Sequence, residues 1–359
     1  MYRRIFFLLT IAMLTLLIAL TVAQAQAGPP APPRPPQLPP DAEQGPQPPR
    51  PWPEEGGRDR LPPPPPDRRT TRPVKIEPLA TSGVVRYVST TGTDSGGCTS
   101  SSNPCRTVQY AVDVSGDGDE IRVAEGTYTD IHSRLGITQT VYLSRSLILR
   151  GGYKADFSEW DPAQYTTTLD AGGQGRVLYI SGAINPTVEG LHFAHGDADG
   201  LGGSSRGYDA GGGVYIITAT AALSGCRIYS STARYGGGLY LSRSPATLTG
   251  NTVSGNSAGW GGGGLYLYDS PATLTGNTVN GNSVNRDGGG LSLYASDAML
   301  TGNTVNGNSA YRGGGLYLSW SDATLTGNTV SDNSANYYSL APMLRVGARD
   351  TTPYGERSE

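Results

Sequence analysis

From residue 211 onward, apolar and polar positions alternate in short bursts, and the bursts recur. Gly-Gly-Gly-Val-Tyr-Ile at 211–216 returns as Gly-Gly-Gly-Leu-Tyr-Leu at 236–241, 262–267 and 313–318, and as Gly-Gly-Gly-Leu-Ser-Leu at 288–293. The first apolar residue after each triplet (Val214, Leu239, Leu265, Leu291, Leu316) stands 25 or 26 residues from the next. A second burst, Thr-Leu-Thr-Gly-Asn-Thr-Val-Ser-Gly-Asn at 247–256, repeats in phase from Thr273, Met299 and Thr324. A degenerate copy runs from Leu223 through Cys226 to Ile228.

Alternation over three to five positions is the period of a strand, not of a helix. The strands are short and separated by Gly and Asn, and no helical stretch of ten or more residues is apparent. A unit of about 25 residues built this way fits one coil of a parallel β-helix, each strand pairing with its equivalent one coil away. Leu and Val then point inward as a narrow core. Asn251, Asn277, Asn303 and Asn328 are expected to form one ladder at a turn, and Asn256, Asn282, Asn308 and Asn333 a second, with amides bonding from coil to coil. The Gly triplets supply turns with unusual dihedrals and close coil approach. Upstream, 119–128, 146–153 and 188–193 read as irregular coils of the same solenoid. Thr107 to Val112 reads as a short helix over the first coil.

The rest of the chain is unlike this. Arg3 and Arg4 precede an apolar run from Ile5 to Ala23, followed by Ala23-Gln24-Ala25 and Ala25-Gln26-Ala27. That is the layout of an export signal, 1–27; the same run is also long enough to be an uncleaved membrane anchor. Of the 27 prolines, 20 lie between Pro29 and Pro78, so 28–80 reads as an extended, disordered linker that cannot bury a core. Residues 81–336 form the β-helix domain. After Asn336 the repeat stops, and 337–359 is read as a tail or an incomplete cap, with self-association through the open last coil as one consequence.

Charge narrows the partners. Only 16% of residues are charged and the formal net charge is −3, which argues against a nucleic-acid binder. Export places the three cysteines in an oxidising compartment, where Cys98 and Cys105, flanking a short polar stretch, are expected to form a disulfide. Cys226 falls on a repeat position and reads as a buried small hydrophobe. No metal site and no cofactor is predicted.

Two features are candidates for binding. Tyr215, Tyr240, Tyr266 and Tyr317 occupy the middle of one strand per coil, between inward residues, so they are expected to point outward as a stacked column interrupted by Ser292. Such a stripe suits sugar rings, and equally suits plain sheet stabilisation. Thr247/Thr249, Thr273/Thr275, Thr301 and Thr324/Thr326 form a second outward array. The other candidate is a loop in the lengthened coil from Phe193 to Ile228, carrying His192, His195, Asp197, Asp199 and Asp209. It reads as a metal or sugar site or as a solvated Gly-rich loop.

Val-x-x-Asn at 253–256, 279–282, 305–308 and 330–333, paired with Gly-Gly-Gly-Leu, resembles the Phe-x-x-Asn and Gly-Gly-Ala-Ile repeat of chlamydial polymorphic outer-membrane proteins, with Val in place of Phe. More broadly, 84–336 resembles the right-handed parallel β-helix, pectate-lyase-like superfamily. That resemblance implies the fold, and implies adhesins and passengers as well as lyases and glycosidases. The superfamily's lyases use Ca²⁺ held by clustered acids with an Arg base. Its hydrolases use Asn-Thr-Asp, Asp-Asp, Gly-His-Gly and Arg-x-Lys motifs. Here Val253 follows Asn251-Thr252, no Asp-Asp pair occurs, and only Ala194-His195-Gly196 echoes the third motif. The reading is an exported, non-catalytic cell-surface protein, adhesin-like or structural, with polysaccharide or cell-surface glycans as partners. The alternative is a polysaccharide lyase or glycoside hydrolase working at the 197–209 loop or on the tyrosine face.

Overall fold

A computed structural model describes residues 83–336, apart from 135, 205 and 206. The proposed signal, linker and tail lie outside the described residues. Within them the chain winds as a parallel β-solenoid of about eight turns with about 26 residues per turn. Each regular turn visits four sheets. Thr247–Thr249 lies in sheet 1, Thr252–Ser254 in sheet 2, Ser257–Gly261 in sheet 3 and Leu265–Tyr268 in sheet 4. Sheets 1, 2 and 4 hold nine, eight and eight strands and run nearly the length of the solenoid, whereas sheet 3 has five strands and begins only at Thr232–Tyr235.

Register follows the repeat residue for residue: Leu239 pairs with Leu265, Leu248 with Leu274 and Val253 with Val279. Their side chains enter one continuous core that runs from Val88 to Leu325. The irregular upstream coils supply the same sheets through Glu120–Ala124, Ile148–Tyr153 and Leu191–Ala194. The first coil is closed by a helix, Val108–Asp113, whose N-cap Thr107 hydroxyl accepts the Tyr110 N–H. Val108, Ala111 and Val112 join the core beneath it. The predicted disulfide between Cys98 and Cys105 is formed beside this cap, with Cα atoms 5.3 Å apart.

Both Asn ladders are present. Asn277 shows the unit. Its Oδ1 accepts the backbone N–H and the Nδ2 of Asn251, while its own Nδ2 donates to Leu248 O and to Asn303 Oδ1. All four bonding positions of the amide are thereby filled in a buried site, which removes the cost of burying it. Cys226 and Ser231 stand at the heads of the two ladders and offer their backbone N–H to Asn251 Oδ1 and Asn256 Oδ1. A third ladder was not anticipated: the N–H of Ser244, Ser270 and Ser296 each donates to the hydroxyl of the serine one coil on, ending at Ser321.

The Gly triplets do two separate jobs. The first glycine has φ near +60°, as at Gly236 and Gly262, where an L side chain is strained. The second has no room: a Cβ on Gly237 would overlap the Ser257 carbonyl, and one on Gly289 the Gly314 and Ser309 carbonyls.

Candidate functional site

Sheet 4 positions the aromatic column. Tyr142, Tyr179, Tyr215, Tyr240 and Tyr266 are paired in register across five successive coils, followed by Ser292 and then Tyr317. Flanking inward residues such as Leu265 and Leu267 force these side chains to the outer face, as alternation requires. Their rings stack 5.1–5.6 Å apart between Tyr179 and Tyr266.

The expectation of an open tyrosine stripe needs correcting. Tyr215 and Tyr240 are only 2% and 1% exposed, and burial pushes the Tyr215 phenol up to about 12. Two elements cover them. The Gly-rich loop lies over Tyr215, whose hydroxyl donates to Gly203 O at 2.6 Å. Arg176, fully buried on the Tyr215 ring, holds the same loop by donating to Ala210 O and Gly202 O. Further along, sheet 3 brings its chain against the column: Tyr235 meets Tyr266 edge-on at 5.0 Å, and Gly261 lies against the Tyr266 ring. Only Tyr266 and Tyr317 of the four named tyrosines keep partial exposure.

The interruption at Ser292 opens what the rest of the column closes. A cavity of about 210 Å³ lies there, lined by Tyr235, Trp260, Tyr266, Tyr294 and Tyr317 together with Arg286, Asp287 and the Ser292 floor. Asp287 accepts Arg312 Nε at 2.6 Å and Nη2 at 2.8 Å, a bidentate pair at the cavity wall. Tyr294, which stacks on Tyr268 at 5.7 Å, is 37% exposed at the mouth.

Along sheet 3, continuing from the cavity wall, runs an alternating ladder that the sequence reading missed. Arg234 sits 4.0 Å from the Tyr208 ring and 4.1 Å from Trp260, and Arg286 lies 5.0 Å from Trp260 on the following coil. Cation and aromatic take turns along the sheet, each guanidinium lying against rings. The repeat hides this because the pairing register shifts between Ala233 and Tyr235. Two residues after Ala258 and Val284 stand Trp260 and Arg286, but two after Ala233 stands Tyr235, one position beyond Arg234.

Most candidates of the acidic loop are engaged locally and separately. Asp209 accepts the Gly202 N–H and Asp197 the Asp199 N–H, both turns internal to the loop. His195 Nδ1 pairs instead with Asp170 at 3.0 Å, and His192 packs edge-on to Tyr229, its pKa lowered by burial and by Arg227. Among the described residues no group of three or more His, Cys, Asp and Glu side chains is placed to hold a metal ion. Cys226 is buried as expected, and burial pushes its thiol up to about 12, which leaves it without nucleophilic character.

Residues 177–341 match the family described as the right handed beta helix region, in agreement with the solenoid. No curated protein matches the chain. Among solved structures, pectate lyase Pel9A is similar over 72% of this chain and 80% of its own, at 12% identity and a TM-score of 0.31.

Proposed function

We propose that this is an exported, non-catalytic surface module, adhesin-like, that holds a glycan in the aromatic cavity at Ser292. The carrying observation is the cavity itself: aromatic walls with one carboxylate and one guanidinium converging on it, the mix by which small-molecule sites combine apolar contact with a few orienting polar groups. Among the described residues Asp287 is the only carboxylate lining it, whereas glycoside hydrolysis requires two facing carboxyl groups. Export rests on the N-terminal apolar run and is supported by the disulfide.

The test is a glycan-array screen of the full chain with product analysis, repeated with Tyr294→Ala. Binding without turnover, lost in Tyr294→Ala at unchanged circular dichroism and unfolding midpoint, is the expected result. Turnover of a bound glycan, or no glycan bound, overturns the reading.

A further inference from the structure

The column on sheet 4 shows what its positions are built to hold. Six of seven consecutive levels from Tyr142 to Tyr317 carry a tyrosine, and only Ser292 does not. Coils are stacked about 4.8 Å apart, so Tyr266 and Tyr317 stand roughly 10 Å apart along the axis, the room of one inserted ring. Where no level is skipped, Tyr240 and Tyr266 are parallel within 1° at 5.3 Å, with no such room.

We propose that this gap is a one-ring sugar site, taking a single hexopyranose at the end of a chain, so that the protein reads glycan termini and not internal segments. The inference rests on the glycan-binding reading above. Three observations carry it. The cavity, at about 210 Å³, is smaller than the roughly 300–1,000 Å³ that drug-sized ligands occupy. Tyr266 and Tyr317 line it along the axis and Tyr235, Trp260 and Gly261 line one flank, so a bound ring has neighbours on three sides. Its floor, Ser292, is 2% exposed, while the exposed lining residues Arg286 and Tyr294 mark the mouth. The C–H face of a pyranose suits Tyr266, while at the Tyr317 end the Arg312 guanidinium, 5.2 Å from the ring centroid, offers N–H groups to sugar hydroxyls. Vicinal hydroxyls, which both donate and accept, suit Asp287 and Arg286: the two Asp287 oxygens keep lone pairs beyond their Arg312 bonds, and Arg286 has no carboxylate partner among the described residues.

The repeat itself provides the decisive variant. Ser292→Tyr restores the residue found at the other levels, on a backbone that already matches them: Gly288 has φ +71° where Gly236, Gly262 and Gly313 have +60° to +62°. The added ring is therefore expected to leave the unfolding midpoint unchanged or higher while filling the gap.

The experiment titrates the full-length chain and its Ser292→Tyr variant with methyl hexopyranosides and with the matching di-, tri- and hexasaccharides. Calorimetry and tryptophan fluorescence, compared with that of a Trp260→Phe variant, are the readouts, and a hexasaccharide alkylated on its non-reducing terminal residue is included. The expected result is that the best methyl glycoside binds within about threefold of its hexasaccharide. Capping the terminal residue and Ser292→Tyr should each weaken binding by more than about tenfold, that is, by more than about 1.4 kcal/mol. Affinity that climbs more than about tenfold with chain length, or that survives capping or Ser292→Tyr, overturns the terminal-ring inference and leaves glycan binding standing. No binding by any member of the series overturns both.

Discussion

Asn277 Oδ1 accepts two bonds from one neighbour, the Asn251 backbone N–H at 2.9 Å and the Asn251 Nδ2 at 3.0 Å. The same pattern recurs between Asn256 and Asn282, so each rung of both ladders ties main chain and side chain of adjacent coils together at a turn. A solenoid has no contacts between distant coils, and these bonds join the strand pairing and the serine ladder in holding adjacent coils in register without help from the apolar core.

Removing a middle rung strands partners on both sides. Asn303→Ala would leave the Asn277 N–H without its acceptor, the Asn277 Nδ2 with Leu248 O alone, and Leu274 O without this donor. We expect a loss of about 2–4 kcal/mol, because each buried polar group left unpaired costs about 1–3 kcal/mol. Asn328→Ala, at the last rung of this ladder among the described residues, should cost less, since its site is less fully buried than that of Asn303. Urea denaturation of the two variants checks the order.

Glycines of the repeat should separate strain from space. Gly276 has φ +63° and nothing within 4 Å of where a Cβ would stand, while a Cβ on Gly289 would meet two carbonyls. Gly276→Ala is expected to cost about 1–2 kcal/mol from backbone strain alone. Gly289→Ala should cost more, because two coils must move apart to admit it. In the opposite direction, Ala295 already has φ +50°, and Ala295→Gly should stabilise by a few tenths to about 1 kcal/mol. Thermal unfolding midpoints of the three variants decide.

Tyr240 is a structural residue. It is 1% exposed between Tyr215 and Tyr266. Tyr240→Ala should destabilise by about 3–5 kcal/mol, as truncations of buried aromatics do, and any ligand loss in it should follow unfolding. Tyr294→Ala should change the unfolding midpoint little. Comparing both variants by near-ultraviolet circular dichroism and denaturation separates the two roles.

Asp119 ties the first coil to acid stability. Burial works to raise its pKa, but the N–H groups of Gly116 and Val84 and the Arg86 guanidinium outweigh it and hold the carboxyl below its ordinary 3.8. A group depressed on folding stabilises fully above its unfolded pKa, and that contribution is lost as pH falls through the folded value. The stability gap between the native chain and Asp119→Asn should therefore be constant above about pH 5 and shrink below about pH 3.8. A gap independent of pH between about 6 and about 2.5 would remove Asp119 from this role.

What the sequence by itself determined is whatever repeats with the coil. The 25- or 26-residue period, the alternation in Leu239-Tyr240-Leu241 and the two Asn columns specify parallel strands, an inward Leu/Val core and side-chain ladders, because each coil meets only its neighbours and equivalent residues must touch. The Ser244–Ser321 ladder was legible by the same logic but hidden by its changing neighbours, Pro245 and Pro271 giving way to Asp297 and Asp322. The fate of the tyrosines was decided elsewhere. Alternation states that Tyr215 and Tyr240 leave the core; it is silent on what then lies over them. That was settled by the loop held on Arg176 and by sheet 3, segments whose sequence is irregular and whose placement depends on tertiary contacts. The same covering turned the Ser292 interruption from a flaw in a stripe into a partly walled cavity, because a missing side chain leaves a hollow only where its surroundings are already lined.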